Sequence, residues 1–243
     1  MTKKRFANIS RVGGTLREMI AHGRVALVNR YYDFRHGTDT AAHLYLNDFQ
    51  VPEEALEHAI WYAPIGESSL RQALSALPID SSEYQFIDIG CGKGRALLTA
   101  SEFPFSTITG VEFEPGLAAI ARRNIENARI RHQQCHQLQV LTEDARDYAI
   151  PHAACIFFLY TPFTGELLKQ VLRNIREAAL SSAQPMVIMF LDDVVPGSLA
   201  PPVREYLAQW PGWEALPAPD TRDLGHLYAL DWVIFRTQQE PRK

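Results

Sequence analysis

Phe86-Ile87-Asp88-Ile89-Gly90-Cys91-Gly92-Lys93-Gly94-Arg95, continued by Ala96-Leu97-Leu98-Thr99-Ala100, decides the fold. A short apolar run with an acidic residue near its end meets three glycines at alternate positions. Past the last glycine the apolar spacing turns helical, so the stretch reads as strand, tight turn, helix. Glycine is required where the chain must turn sharply, take positive φ and let a ligand come close. The helix that follows aims its free N–H groups and positive dipole end back at the turn, which favours an anionic group there.

Two details choose among nucleotide ligands. The spacing is G-x-G-x-G, whereas the dinucleotide fingerprint is G-x-G-x-x-G. Asp88 stands two residues before the first glycine and would repel a pyrophosphate, but it suits a ligand carrying an ammonium group. S-adenosylmethionine, with an amino-acid end and a sulfonium, meets both conditions. The motif D-x-G-x-G-x-G resembles that of the class I S-adenosylmethionine-dependent methyltransferases. The resemblance covers residues of about 60 to 236 and implies a Rossmann-like α/β fold. Its seven-stranded sheet would carry helices on both faces, with an N-terminal helical extension added. The domain reading is a basic helical extension and lid over 1–60 and a methyltransferase domain over 61–243.

Working outward, Ser106 to Glu112 reads as a second strand rich in β-branched residues. Its terminal carboxylate, Glu112, lies 18 positions beyond Gly94, where this class binds the ribose hydroxyls. Phe113 beside it is placed to lie on the adenine. Glu114 suits the start of the next helix, Leu117 to Ala128. A third strand, Gln137 to Leu141, leads to Asp144 and Ala145, which the resemblance puts at the adenine amino group. Cys91 completes the cofactor set with Asp88, Gly90, Gly92 and Gly94. Tyr62 and Ser68, around the helix before the first strand, are carried over for the methionine end.

Cys155 to Tyr160 reads as a buried central strand that empties into Thr161-Pro162-Phe163. The crevice beyond the strands' carboxyl ends makes Tyr160, Thr161 and Phe163 the substrate-side candidates. Amino-group methyltransferases carry Asn or Asp followed by Pro-Pro-aromatic here, and Tyr-Thr-Pro-Phe lacks that amide or acid. A helix over Gly165 to Leu180 and a fifth strand over Pro185 to Leu191, ending at Asp192-Asp193, follow. Catechol-type relatives hold a metal on carboxylates after both the fourth and fifth strands. The first is missing here, so no metal is expected. His132, Cys135 and His136 lack recognised ligand spacing. A short helix near Val203 to Gln209 and strands near Trp213 to Leu216 and Leu227 to Arg236 close the pattern.

Upstream, Tyr31 to Thr40 is dense in aromatic and polar residues. It reads either as a structured loop or as a lid, with Asp33 and His36 as candidate bases beside Tyr160 of the fourth strand. Its Y-D-x-x-x-G-x-D-T spacing resembles a poorly characterised bacterial branch of the class. Leu16, Ile20, Val25, Ala26 and Leu27 suggest a helix docked on the main domain, interrupted near Gly23.

The whole chain of 243 residues is 47% hydrophobic and 21% charged, as expected of a globular domain. Its net charge of −4 is uneven: residues 1–35 hold eight basic and two acidic residues, a net +6, which leaves −10 on the rest. Such an arm suits an acidic partner, RNA or protein. Three cysteines and no apolar run of about 18 residues point to a reducing, cytoplasmic setting without a membrane span. The expected function is methyl transfer to an unidentified N or O nucleophile on a small molecule, protein or RNA. The alternatives are a non-catalytic cofactor-binding or partner-binding module and, third, an NAD-dependent oxidoreductase.

Overall fold

The computed structural model describes residues 16–41, 63–182, 184–221 and 223–238. Helix α1 (Leu16–His36) and helix α2 (Glu67–Ala76) precede the sheet. Then come β1 (Gln85–Ile89), α3 (Arg95–Ala100), β2 (Thr107–Glu112), α4 (Pro115–Asn127), β3 (Leu138–Thr142), β4 (Cys155–Tyr160), α5 (Gly165–Ser181), β5 (Met186–Asp193), α6 (Ala200–Leu207), β6 (Trp213–Ala215) and β7 (Leu230–Thr237). The strand order is β3-β2-β1-β4-β5-β7-β6. β1 to β5 pair in parallel, and β7 inserts antiparallel between β5 and β6. This is the seven-stranded sheet expected from the sequence. Among the described residues no helix is long and apolar enough to cross a membrane.

Two cores flank the sheet because strand side chains alternate between its faces. Phe86, Ile108, Ile156, Phe158, Val187, Met189, Leu191, Trp232 and Ile234 pack one face against α2, α3 and α4. Ile87, Val111, Phe157, Leu159, Ile188, Phe190 and Val233 pack the other against α5 and α6. β4 and β5 are apolar on both sides, which explains their unbroken hydrophobic runs. The strand order reverses between β1 and β4. In open α/β sheets a crevice opens there beyond the carboxyl ends.

The N-terminal segment departs from the sequence reading. α1 runs through Gly23 without a break, and Tyr31 to His36 form its last turns instead of a loop or lid. Its docking face is Val25, Asn29, Tyr32 and His36, while Ile20 and Leu27 point to solvent. The apolar spacing misled because half of the buried face is polar.

That polar face is built around Arg95, the first residue of α3, which is 3% exposed. Its guanidinium donates to Thr40 Oγ1 (2.8 Å) and to Asn29 Oδ1, and lies 4.3 Å from the centre of the Tyr32 ring. Asp33, 3.9 Å from the same guanidinium, closes the turn after α1. Its carboxylate accepts from Thr38 Oγ1, Thr40 Oγ1, Thr40 N and Ala41 N. Lys93 reaches Asp39 at 3.1 Å, and Asn124 Nδ2 donates to the carbonyls of Asp39 and Lys93. The stretch that looked like a lid is an anchor on the back of the glycine turn.

Candidate cofactor and acceptor site

β1 ends in the glycine turn. Gly90, Gly92 and Gly94 all have positive φ, at +79°, +53° and +82°. Gly90 N and Cys91 N both donate to Val111 O, tying the turn to β2. A Cβ on Gly90 would stand 2.4 Å from Pro162 Cβ, so only glycine lets the β4 turn come this close. The Cys91 thiol points away from the crevice and packs against Gly110, and burial pushes its pKa up. Cys91 therefore has only main-chain groups to offer a ligand at the turn.

Strand register sets a row of polar groups along one face. Asp88 is level with Gly110 on β2 and with Phe158 on β4, and Tyr160 is level with Leu191 on β5. Moving two residues along a strand keeps the face, so Glu112, Asp88, Tyr160 and Asp193 lie side by side at the carboxyl edge, in strand order. Asp88 is 3% exposed, and its carboxylate has no hydrogen-bond partner among the described residues. Burial, and then the neighbouring Glu112, raise its pKa well above the usual carboxylate value. Glu112 accepts from Gly92 N at 2.8 Å and from Glu114 N at 3.0 Å. Burial outweighs those bonds and lifts its carboxyl to about 7. Glu114 turns away to cap α4 through Leu117 N.

Phe113 is half-buried directly after Glu112. Asp144, two residues past β3, is half-buried and held by Arg146, whose side chain donates at 3.0 and 2.6 Å; that pairing keeps its carboxyl below the ordinary range. Ala145 packs against the second core. Tyr62 lies outside the described residues. Ser68 bonds only to Gln72 across one helical turn. Its neighbour Ser69 is the one turned inward, with Oγ donating to Thr221 Oγ1 at 2.8 Å.

On the acceptor side the candidates separate. Tyr160 stands in the row. Thr161 has φ +32°, a left-handed conformation that costs a β-branched residue energy. Its hydroxyl holds it there, 2.7 Å from Leu191 O and 2.9 Å from Asp192 Oδ1. Phe163 is buried in the second core and presents no face to a ligand. Asp33 is saturated by its own turn. His36 Nδ1 bonds Arg129 O at 3.1 Å, and its ring lines a separate cavity of about 350 Å³ with Arg35, Glu67, Arg71, Glu102, Arg131 and His132. That cavity shares no residue with the row. The structure thus takes Asp33 and His36 away from the place where a base would act.

Sequence reasoning missed His226 and Asp223, and weighed Asp193 only as a carboxylate ending the fifth strand. His226 is 7% exposed on the loop before β7; its Nε2 accepts from Gly66 N at 2.8 Å and its Nδ1 lies 3.4 Å from Tyr160 Oη. Asp223 accepts from Ser69 N and Gly225 N and so pins that loop to the start of α2. No local pattern marks His226 or Asp223, because their contacts join segments far apart in the chain.

Residues 86–179 match the methyltransferase domain family. The matched segment, less than half of the chain, is similar to a methyltransferase domain. Over 112 residues it is 29% identical to a small RNA 2'-O-methyltransferase of Arabidopsis thaliana, a match covering 43% of this chain and 12% of the length of that curated relative. Solved structures share the fold, two RNA methyltransferases among them. A 23S rRNA methyltransferase superposes with TM-score 0.53 at 14% identity, covering 74% of this chain and 71% of its own. A provisionally assigned RNA methyltransferase from Pyrococcus horikoshii gives TM-score 0.52 at 15% identity, covering 78% and 92%. The matched segment runs from β1 nearly to the end of α5 and so includes Asp88, the glycine turn, Glu112 and Tyr160.

Proposed function

We propose that this chain transfers a methyl group from S-adenosylmethionine to an N or O nucleophile across the row Glu112–Asp88–Tyr160. The observation that carries the reading is Asp88, 3% exposed at the carboxyl end of β1, beside three glycines of positive φ. Burial and the neighbouring Glu112 disfavour the ionised Asp88 carboxylate, and the ammonium of a methionine moiety would offset both. Bound S-adenosylmethionine contributes a methyl group activated by its sulfonium. Asp88 holds the ammonium, and the turn from Gly90 to Gly94 lets the ligand close on the main chain, Cys91 included. Glu112 accepts from the ribose hydroxyls, Phe113 covers the adenine, and Asp144 with Ala145 borders its amino group. Tyr62 and Ser68 stand as candidates for the methionine end. Thr161 shapes the acceptor turn, while Phe163 supports it from the core. The protein's main work is to hold both partners at attacking distance in a dry crevice.

Glu112 gives the reading a pH dependence. Hydroxyls that donate to its carboxylate favour the ionised form, so the ligand binds best once Glu112 has lost its proton. With the free carboxyl at about 7, affinity is expected to be full above that pH and to fall as pH drops through it. Glu112→Ala is expected to lose roughly 1.5–3 kcal/mol of binding, the range for hydrogen bonds to a charged group, and to flatten the profile around neutral pH. Calorimetric titration with S-adenosylhomocysteine from pH 6 to 8 checks both. Unchanged affinity in the variant would remove Glu112 from the ribose role.

The acceptor is a small molecule, a protein or an RNA. The net +6 of residues 1–35 supports an acidic macromolecule, RNA or an acidic protein face, as partner of the arm. Removing residues 1–15, ahead of α1, is expected to weaken retention on RNA at low salt without changing cofactor affinity. Equal retention would detach the arm from RNA.

A further inference from the structure

The row does not stop at Tyr160. Tyr160 Oη donates to Asp193 Oδ1 at 3.2 Å and lies 3.4 Å from His226 Nδ1, with the two rings edge to face at 5.8 Å. His226 Nε2 accepts from Gly66 N–H. An imidazole nitrogen that accepts a main-chain N–H carries no proton, so the ring proton sits on Nδ1 and points at Tyr160 Oη. The Tyr160 oxygen then has its own proton on Asp193 and one lone pair on His226, which leaves one acceptor position open. The His226 loop is fixed in place by Asp223 on Ser69 N and by Thr221, which accepts from Ser69 Oγ and from Trp232 Nε1. Such a fixed array at the end of β4, against the turn that overlies Gly90, is more than a strand terminus requires.

We propose that Tyr160 receives the acceptor's proton, that Asp193 is where the proton is finally held, and that His226 is the positioning residue that fixes the direction of transfer. This rests on the cofactor reading above. As the acceptor's lone pair bonds to the methyl carbon, the C–S electron pair stays on sulfur. The acceptor's N–H or O–H proton passes to Tyr160 Oη while the Tyr160 proton moves to Asp193, which later releases it to water. Burial lifts the Asp193 carboxyl to about 6, leaving it ionised at neutral pH. Among the described residues the groups facing Asp193 are Tyr160 and His226, with Asp192 adding like charge from one residue away. Arg24 reaches only the His226 carbonyl, and Asp223 is taken up by Ser69 N and Gly225 N.

The test compares S-adenosylmethionine with S-adenosylhomocysteine, which lacks the methyl group and the positive charge, by calorimetry of the full chain at pH 6. Two buffers of different ionisation heat give the proton count. A sulfonium beside Tyr160 drives the proton off Asp193, so S-adenosylmethionine is expected to release up to about half a proton more than S-adenosylhomocysteine. Asp193→Asn is expected to remove that difference while still binding S-adenosylhomocysteine. Equal proton counts in the native protein, or a difference that survives in the variant, would overturn the relay alone. If neither ligand binds, the cofactor reading fails and the relay with it. The ¹⁵N spectrum of histidine-labelled protein, assigned through His226→Asn, is expected to show His226 protonated on Nδ1 and bare on Nε2 at pH 7. The opposite tautomer would overturn the role of His226.

Discussion

Arg95→Ala is expected to lower the unfolding free energy by about 3–5 kcal/mol, the range for removing one partner from a buried ionic network. Arg95 is almost fully enclosed, and its loss would take the donor from Asn29 Oδ1 and Thr40 Oγ1 and the cation from beside Asp33. It would also take the cation from the face of Tyr32. The effect should concentrate in α1, because few other buried side chains hold that helix to the body. Denaturant unfolding measures the total, and amide hydrogen exchange should show α1 opening before the sheet. A loss of under about 1 kcal/mol would mean that α1 docks mainly through Val25 and its apolar neighbours. Arg95→Lys should recover little, since one ammonium cannot serve both oxygen acceptors and stack on the ring.

The second large effect belongs to Gly90. Gly90→Ala combines a left-handed backbone with a Cβ 2.4 Å from Pro162. The first costs about 1–2 kcal/mol and the second about 1–3 kcal/mol for overpacking. The glycine turn and the Thr161–Pro162 turn must then separate, and the crevice between β1 and β4 changes shape. S-adenosylhomocysteine affinity is therefore expected to fall by more than tenfold along with stability. A variant of native affinity would show that the closeness of these two turns does not matter to the ligand. Gly197, with φ +93° but open space around it, provides a control: Gly197→Ala should cost stability without touching affinity.

The part of the protein legible in the sequence is the part whose physics is local. Phe86 to Gly94 announces itself because a strand, a sharp turn and a helix start follow one another within ten residues. The positions of Glu112, at the end of β2, and Asp144, two residues past β3, were legible because both strands have recognisable composition. β4 and β5 were readable as buried strands from their unbroken apolar runs, and their observed ends fall within two residues of the expected ones.

What stayed hidden depends on contacts between distant segments. Tyr31 to Thr40 looked like a lid because its polar and aromatic density fits no apolar core. The structure resolves this with a buried arginine: Asn29, Tyr32, Asp33 and Thr40 face inward toward Arg95, so hydrophobic periodicity could not report the docked face. Ile20 and Leu27, which seemed to anchor the helix, lie on its open side. His226 sits in a loop of no regular pattern, and only the return of the chain before β7 brings it to Gly66 and Tyr160. Ser68 and Ser69 differ by 100° around α2, a distinction that spacing alone could not make.

Titration of the purified chain with S-adenosylmethionine, S-adenosylhomocysteine and NAD in parallel, at pH 8, tests the central claim most directly. The row of Glu112, Asp88 and Tyr160 predicts that both adenosyl ligands bind and NAD does not, because Asp88 attracts an ammonium and repels a pyrophosphate. Binding of NAD in preference to the other two, or of none of the three, would contradict it.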